Sequence, residues 1–225
     1  MSAARIALIH ATPLAVTPIQ QAFERHWPQA QRMNLLDDSL SVDRAAAAEL
    51  TPAMVQRFID LARYSVGTGS GGILFTCSAF GPAIEEAGRA AGVPTLKPNE
   101  AMFEQALAVK PRDGALRVGL LATFAASIAS MTEELQSMAE ARGIELRHTS
   151  VYVREAMDDL AQGRAQDHHR KVAAAAASLG ECDVVMLAQF SMAAAREAVQ
   201  ATLRCPVLSS PDCAVLALKQ KMGHA

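Results

Sequence analysis

Strands and helices alternate along this chain of 225 residues. That order predicts an α/β fold of two pseudo-symmetric βαβαβ lobes, each a parallel sheet flanked by helices, with the functional site in the cleft between them. Three observations carry the expectation. Short, compact apolar runs recur, as buried parallel strands require. Segments with helical spacing, opened by capping residues and closed by glycines, lie between them. The whole pattern then returns at a fixed offset.

Residues 5–10, rich in Ile and Leu, read as the first strand. Thr17 as N-cap and Pro18 at the first helical position predict a helix over 18–27. Residues 32–36 are the second strand. Over 51–65, a Thr-Pro start and apolar positions Met54, Val55, Phe58, Ile59 and Ala62 predict a helix. Residues 72–76 form the third strand, and 82–91 a helix stopped by Gly92. The second half repeats this: a strand over 117–121, a helix over 127–141 closed by Gly143, and a strand within 144–153. An Ala-rich helix over 169–179 and a strand over 183–187 follow. The segment Lys110-Pro111-Arg112-Asp113-Gly114 is the expected turn between the halves.

The repetition has a register. A shift of 112 positions carries Arg5-Ile6-Ala7-Leu8-Ile9 onto Arg117-Val118-Gly119-Leu120-Leu121. The same shift carries Ile73-Leu74-Phe75 onto Val185-Met186-Leu187, and Val93-Pro94-Thr95-Leu96 onto Cys205-Pro206-Val207-Leu208. Three anchors at one offset indicate two copies of one unit. The expected division is 1–98 plus 209–225 for the first lobe and 99–208 for the second. Ligands of parallel sheets sit outside the carboxyl ends of the strands, so the strand-end loops of both copies are the places to look. Cys77 falls on Gln189 and Ala79 on Ser191.

Bulk properties narrow the function. The hydrophobic fraction of 51% and charged fraction of 20% are those of a globular domain. A net charge of −2 gives no field favouring nucleic acid or an anionic membrane. No apolar run approaches the ~20 residues of a membrane span, and the apolar stretch after Arg5 is too short for a signal peptide. Cys77, Cys182, Cys205 and Cys213 show no metal-ligand spacing. Together these predict a cytoplasmic protein with no metal, nucleic-acid or membrane partner. A dinucleotide fingerprint, a P-loop and a G-x-S-x-G elbow are all missing; His10-Ala11-Thr12-Pro13 stands after the first strand instead.

Four stretches, in this order and spacing, carry a resemblance: Leu74-Phe75-Thr76-Cys77-Ser78-Ala79, Gly119-Leu120-Leu121-Ala122-Thr123, Val184-Val185-Met186-Leu187-Ala188-Gln189-Phe190-Ser191-Met192, and Pro206-Val207-Leu208-Ser209-Ser210-Pro211. The chain resembles the aspartate/glutamate/hydantoin racemase superfamily, which includes arylmalonate decarboxylases and maleate isomerases. The resemblance covers essentially the whole chain. It implies a cofactor-independent racemase or isomerase acting on a small carboxylic acid, and a homodimer. Racemases of this family use two cysteines, one per lobe, to move a proton at the carbon next to a carboxylate. Cys77 matches the first position, and Gln189 stands at the second. A carboxamide exchanges no proton near neutral pH, so the two-thiol scheme does not fit this sequence.

The residues themselves support two roles. Cys77 follows a strand and precedes a helix, where amides at the helix end would lower its pKa and favour the thiolate. A packed, inert thiol is the ordinary alternative. His10 ends the first strand, and its imidazole could replace the missing acid/base, or serve as a satisfied structural histidine. These two are the catalytic candidates. Thr12, Ser78, Thr123 and Ser191 are hydroxyl residues after strands, suited to an anion or to helix capping. With Gln189, and with Ala79 and Phe190 in the same loops, they are the expected substrate-binding set. The loops lack Arg and Lys, so amides are expected to hold the carboxylate. With one cysteine, the chemistries open are racemisation with a second base, decarboxylation with reprotonation from one face, and cis/trans isomerisation through a thiol adduct. Two rivals stand beside these: a small-acid binding protein without turnover and a flavodoxin-like nucleotide binder.

Overall fold

The computed structural model describes residues 3–47 and 49–224. Met1, Ser2, Ala48 and Ala225 lie outside the described residues. The chain forms two compact units, Met1–Glu100 with Ala214–Ala225, and Ala101–Cys213.

In the first unit, β1 (Arg5–His10), β2 (Gln31–Leu36), β3 (Gly72–Phe75) and β4 (Thr95–Leu96) form a parallel sheet in the order β2-β1-β3-β4. Its helices are α1 (Val16–His26), α2 (Ser39–Ala46), α3 (Pro52–Gly67) and α4 (Gly81–Ala91). The inner strands β1 and β3 are almost wholly buried, whereas the edge strand β2 has no buried residue. Phe58 on α3 stacks against Phe75 at 5.2 Å and tilts against Phe80 at 4.7 Å between ring centroids. All three rings are buried, and this cluster anchors the chain just after Cys77.

After α5 (Glu100–Leu107), the second unit builds the same sheet from β5 (Leu116–Ala122), β6 (Leu146–Tyr152), β7 (Val184–Leu187) and β8 (Val207–Ser209) in the order β6-β5-β7-β8. Around it lie α6 (Ala126–Glu140), α7 (Ala156–Ala161), α8 (Ala165–Ala175) and α9 (Arg196–Gln200), and α10 (Ser210–Lys221) follows β8. Gly119 permits the closest packing here. A Cβ at that position would meet Leu179 at 2.9 Å and Cys182 and Val185 at 3.0 Å.

The repeat is present residue for residue in the inner strands. Ile6 pairs with Gly72 as Val118 pairs with Val184, and Ile73 with Thr95 as Val185 with Val207. The offset of 112 also holds at the edge strands β4 and β8 and breaks at the opposite edges, β2 and β6. Arg5 pairs with Gln31, but Arg117 pairs with Arg147, four residues further along. The connection from the first to the second strand is longer in the second unit, mostly in the loops flanking its helix.

Several helix bounds differ from the sequence expectation. Thr12, not Thr17, is the first cap: its hydroxyl accepts Leu14 N–H at 3.4 Å and opens a 3-10 turn, Pro13–Ala15, that runs into α1. Pro18 lies inside the first turn of α1, where an N–H has no helical partner to lose. The Thr51 cap holds, accepting Met54 N–H at 3.3 Å, and Gly92 ends α4 at φ 67°. Helices α2 and α7 had no expectation; each is short, and Leu40 is the one buried residue of α2.

Candidate functional site

In each sheet the chain leaves the first strand to one side and returns to the other. The crevice between the two diverging connections opens at the carboxyl ends of the two central strands. In the first unit these are β1 and β3, and in the second β5 and β7. The backbone bond Thr76 N–H to Ile9 O, 3.0 Å, closes the first pair; Ala188 N–H to Leu121 O, 2.9 Å, closes the second. Cys77 and Gln189 are the residues that follow each closure.

Cys77 has extended backbone, is half-buried, and precedes the 3-10 turn Ser78–Phe80 that leads into α4. Burial pushes its thiol up, against the pull of the Ala79 N–H and of the Arg44 guanidinium. The expected lowering is therefore reversed. The turn after Cys77 supplies an amide, but α4 begins at Gly81 and its own free N–H groups do not reach the sulfur as the leading effect.

Arg44 is the charged neighbour of the Cys77 loop that sequence reasoning missed. It lies on α2, far from Cys77 in sequence, and its Nε donates to Ala79 O at 3.4 Å while Nη1 donates to Ala47 O at 2.9 Å. A cation thus stands beside the Cys77 loop, although the loop itself contains none. Only the helix that carries it could have revealed it, and α2 has no apolar stripe to read.

His10 is fully buried. Its Nε2 lies 3.1 Å from Asn34 Oδ1 and its Nδ1 2.8 Å from Thr76 Oγ1. Asn34 Oδ1 also accepts from Gln20 Nε2 at 2.9 Å, so it is an acceptor, and the neutral ring donates from Nε2 and accepts Thr76 O–H at Nδ1. Burial lowers the His10 pKa, and the Asn34 oxygen only partly counters this. Both nitrogens are therefore engaged inside the first unit, one residue from Cys77 by way of Thr76. Thr12 caps its turn, and Ser78 and Ala79 are half-buried beside Cys77.

In the second unit Gln189 Oε1 accepts the Thr123 N–H at 2.8 Å and the Thr123 hydroxyl at 3.2 Å. Its Nε2 donates to Ser127 Oγ at 2.6 Å. The amide ties the end of β7 to the start of α6. Phe190 is buried and Ser191 half-buried in the 3-10 turn Phe190–Ala195. The remaining thiols are buried: Cys182 and Cys205 in one apolar cluster, and Cys213 donating to Gln105 Oε1 at 3.3 Å. Burial pushes Cys182 up to about 11 and Cys213 up to about 12. Among the described residues no group of three His, Cys, Asp or Glu could hold a metal, and no helix is long and apolar enough to cross a membrane.

The model of the Asp/Glu/hydantoin racemase family matches residues 9–218. The chain belongs to that family. This Asp/Glu/hydantoin racemase family member is similar in fold to aspartate racemase from Picrophilus torridus, at 14% identity over 99% of this chain and 95% of that one, with a TM-score of 0.71. Allantoin racemase from Klebsiella pneumoniae shares 19% identity over 99% and 90% of the two chains, with a TM-score of 0.68. An unliganded arylmalonate decarboxylase shares 16% over 98% and 93%, with a TM-score of 0.62. A comparison with curated protein sequences gives no match. The family model shows the family, and these solved structures share the fold.

Proposed function

We propose that this family member is a cofactor-independent enzyme that moves a proton at the carbon alpha to a carboxylate, with Cys77 as the group that carries it. The observation behind this is the place of Cys77: half-buried, at the carboxyl end of a central strand, beside the cation of Arg44. The raised thiol pKa keeps the resting group as S–H, a proton donor. In the donor direction the S–H proton passes to the alpha carbon of an enediolate, whose electron pair forms the new C–H bond, and the charge of Arg44 favours the thiolate left behind. In the reverse direction the thiolate takes the alpha proton and the electron pair delocalises into the carboxylate.

Gln189 has no part in proton transfer in this reading. Its amide is committed to Thr123 and Ser127, so it holds the loops on which Thr123, Phe190 and Ser191 are binding candidates; in the first unit the binding candidates are Thr12, Ser78 and Ala79. A single thiol suits reprotonation from one face, as after loss of carbon dioxide; the name of the decarboxylase neighbour agrees with that class. Racemisation is the second reading, favoured by the family model. It needs a second base, and His10 serves only when its bond to Thr76 or Asn34 opens. Exchange of the alpha proton in heavy water, with Cys77→Ser as control, tests the proposal.

A further inference from the structure

Helix α2 brings Arg44 to the Cys77 loop, yet little apolar packing holds it, since Leu40 is its one buried residue. What does hold it is a clasp. Arg57, on the well-packed α3, donates from Nη1 to Asp43 Oδ2 and from Nη2 to Asp37 Oδ2, each at 2.5 Å. Nη2 also meets Ser39 Oγ at 2.6 Å, and that hydroxyl donates to Asp37 Oδ1 at 2.6 Å. The clasp therefore grips α2 at both ends, at Ser39 in its first turn and at Asp43 next to Arg44. Asp37 in turn is tied to the core by its N–H, which donates to His10 O at 3.0 Å.

From this geometry we infer that Arg57 is a positioning residue: by bridging Asp37 and Asp43 it holds α2 so that Arg44 stays beside the Cys77 loop. The inference rests on the reading of Cys77 as the reactive group. An isolated exposed ion pair contributes little, but one guanidinium bonded to two carboxylates and a hydroxyl is a network. Here it supports an element with one buried anchor. The charges around it agree: burial alone would raise the Asp37 pKa, and Ser39 and Arg57 more than reverse that. Arg44 is the one charged side chain acting on Cys77 among the described residues.

The test is the pH dependence of Cys77 alkylation by iodoacetamide, read by peptide mass spectrometry on the full chain. Arg44→Met raises the midpoint and slows the reaction below it by about three-fold, the size of one charge felt through solvent at several ångström. Arg57→Met gives a similar rise, the double variant is no slower than Arg44→Met alone, and Arg57→Lys recovers part of the loss. A general structural defect would lower the melting temperature without this non-additive pattern. Should Arg57→Met fail to fold, Asp43→Asn removes one arm of the clasp and is expected to raise the same midpoint. An unchanged midpoint in Arg57→Met or Asp43→Asn, with the Arg44→Met shift intact, overturns the inference and leaves the Cys77 reading standing. An unchanged midpoint in Arg44→Met overturns it too, because there is then no effect for Arg57 to transmit. Alpha-proton exchange reports on the Cys77 reading separately.

Discussion

Gln189 and Thr123 are joined twice: one side-chain oxygen accepts both the backbone N–H, at 2.8 Å, and the hydroxyl, at 3.2 Å. Gln189 is thus a bracket for the loop between β5 and α6. Gln189→Ala leaves the Thr123 N–H without its partner in a buried setting, at a cost of about 1–3 kcal/mol. Urea denaturation measures that loss, and hydrogen exchange should show the Thr123 amide losing protection. Unchanged protection would mean that the bracket is dispensable.

The four thiols should separate cleanly. Cys77 is half-buried, whereas Cys182, Cys205 and Cys213 are buried with pKa values raised chiefly by burial. Iodoacetamide on the native protein at pH 8 is expected to add one group, at Cys77, and four after unfolding in denaturant. Intact-mass spectrometry counts them.

His168 on α8 is fully buried, and neither ring nitrogen has a hydrogen-bond partner among the described residues. Burial, with His169 beside it, lowers its pKa to about 4 against the upward pull of Asp159. Between about 6.5 and 4 the unfolded chain binds a proton that the folded chain does not, so stability falls as pH drops through that window. The contribution lost is about 3 kcal/mol at the lower end. Denaturation of the wild type and His168→Met at pH 7 and pH 4.5 should show a smaller loss in the variant.

Asp183, buried before β7, accepts the Arg117 N–H at 2.9 Å and the Arg112 N–H at 3.3 Å. These amides, the first above all, hold its pKa down against burial. The sign is opposite in origin to His168 and equal in direction: the stabilisation is present above the usual carboxylate range and is lost as pH falls through the folded-state value. Asp183→Ala strands both amides and should cost about 2–4 kcal/mol in urea denaturation at pH 7. A loss within experimental scatter would show that water replaces the carboxylate.

Much of the fold was legible because it rests on local pattern. The inner strands are continuous apolar runs, and their common offset matches the way β5 pairs with β7 as β1 pairs with β3. The Thr51 and Gly92 signals marked true helix ends. Helices α2 and α7 were not legible, because eight and six residues with one or two buried positions carry no periodicity. The site divides in the same way. Cys77 and Gln189 came from strand ends and the repeat, but Arg44, Asn34 and Thr76 act through contacts across the sequence. The direction of the Cys77 pKa was missed because burial depends on packing that no local motif reports.

The central claim is that one thiol, Cys77, moves the proton. Amino and dicarboxylic acids incubated in heavy water with the protein, and followed by NMR, test it most directly. The account predicts deuterium at the alpha carbon of at least one acid without inversion, and a loss of about 10²–10⁴-fold in Cys77→Ser, the range of a positioned acid/base. Exchange that persists in Cys77→Ser, or none with any acid, would contradict it.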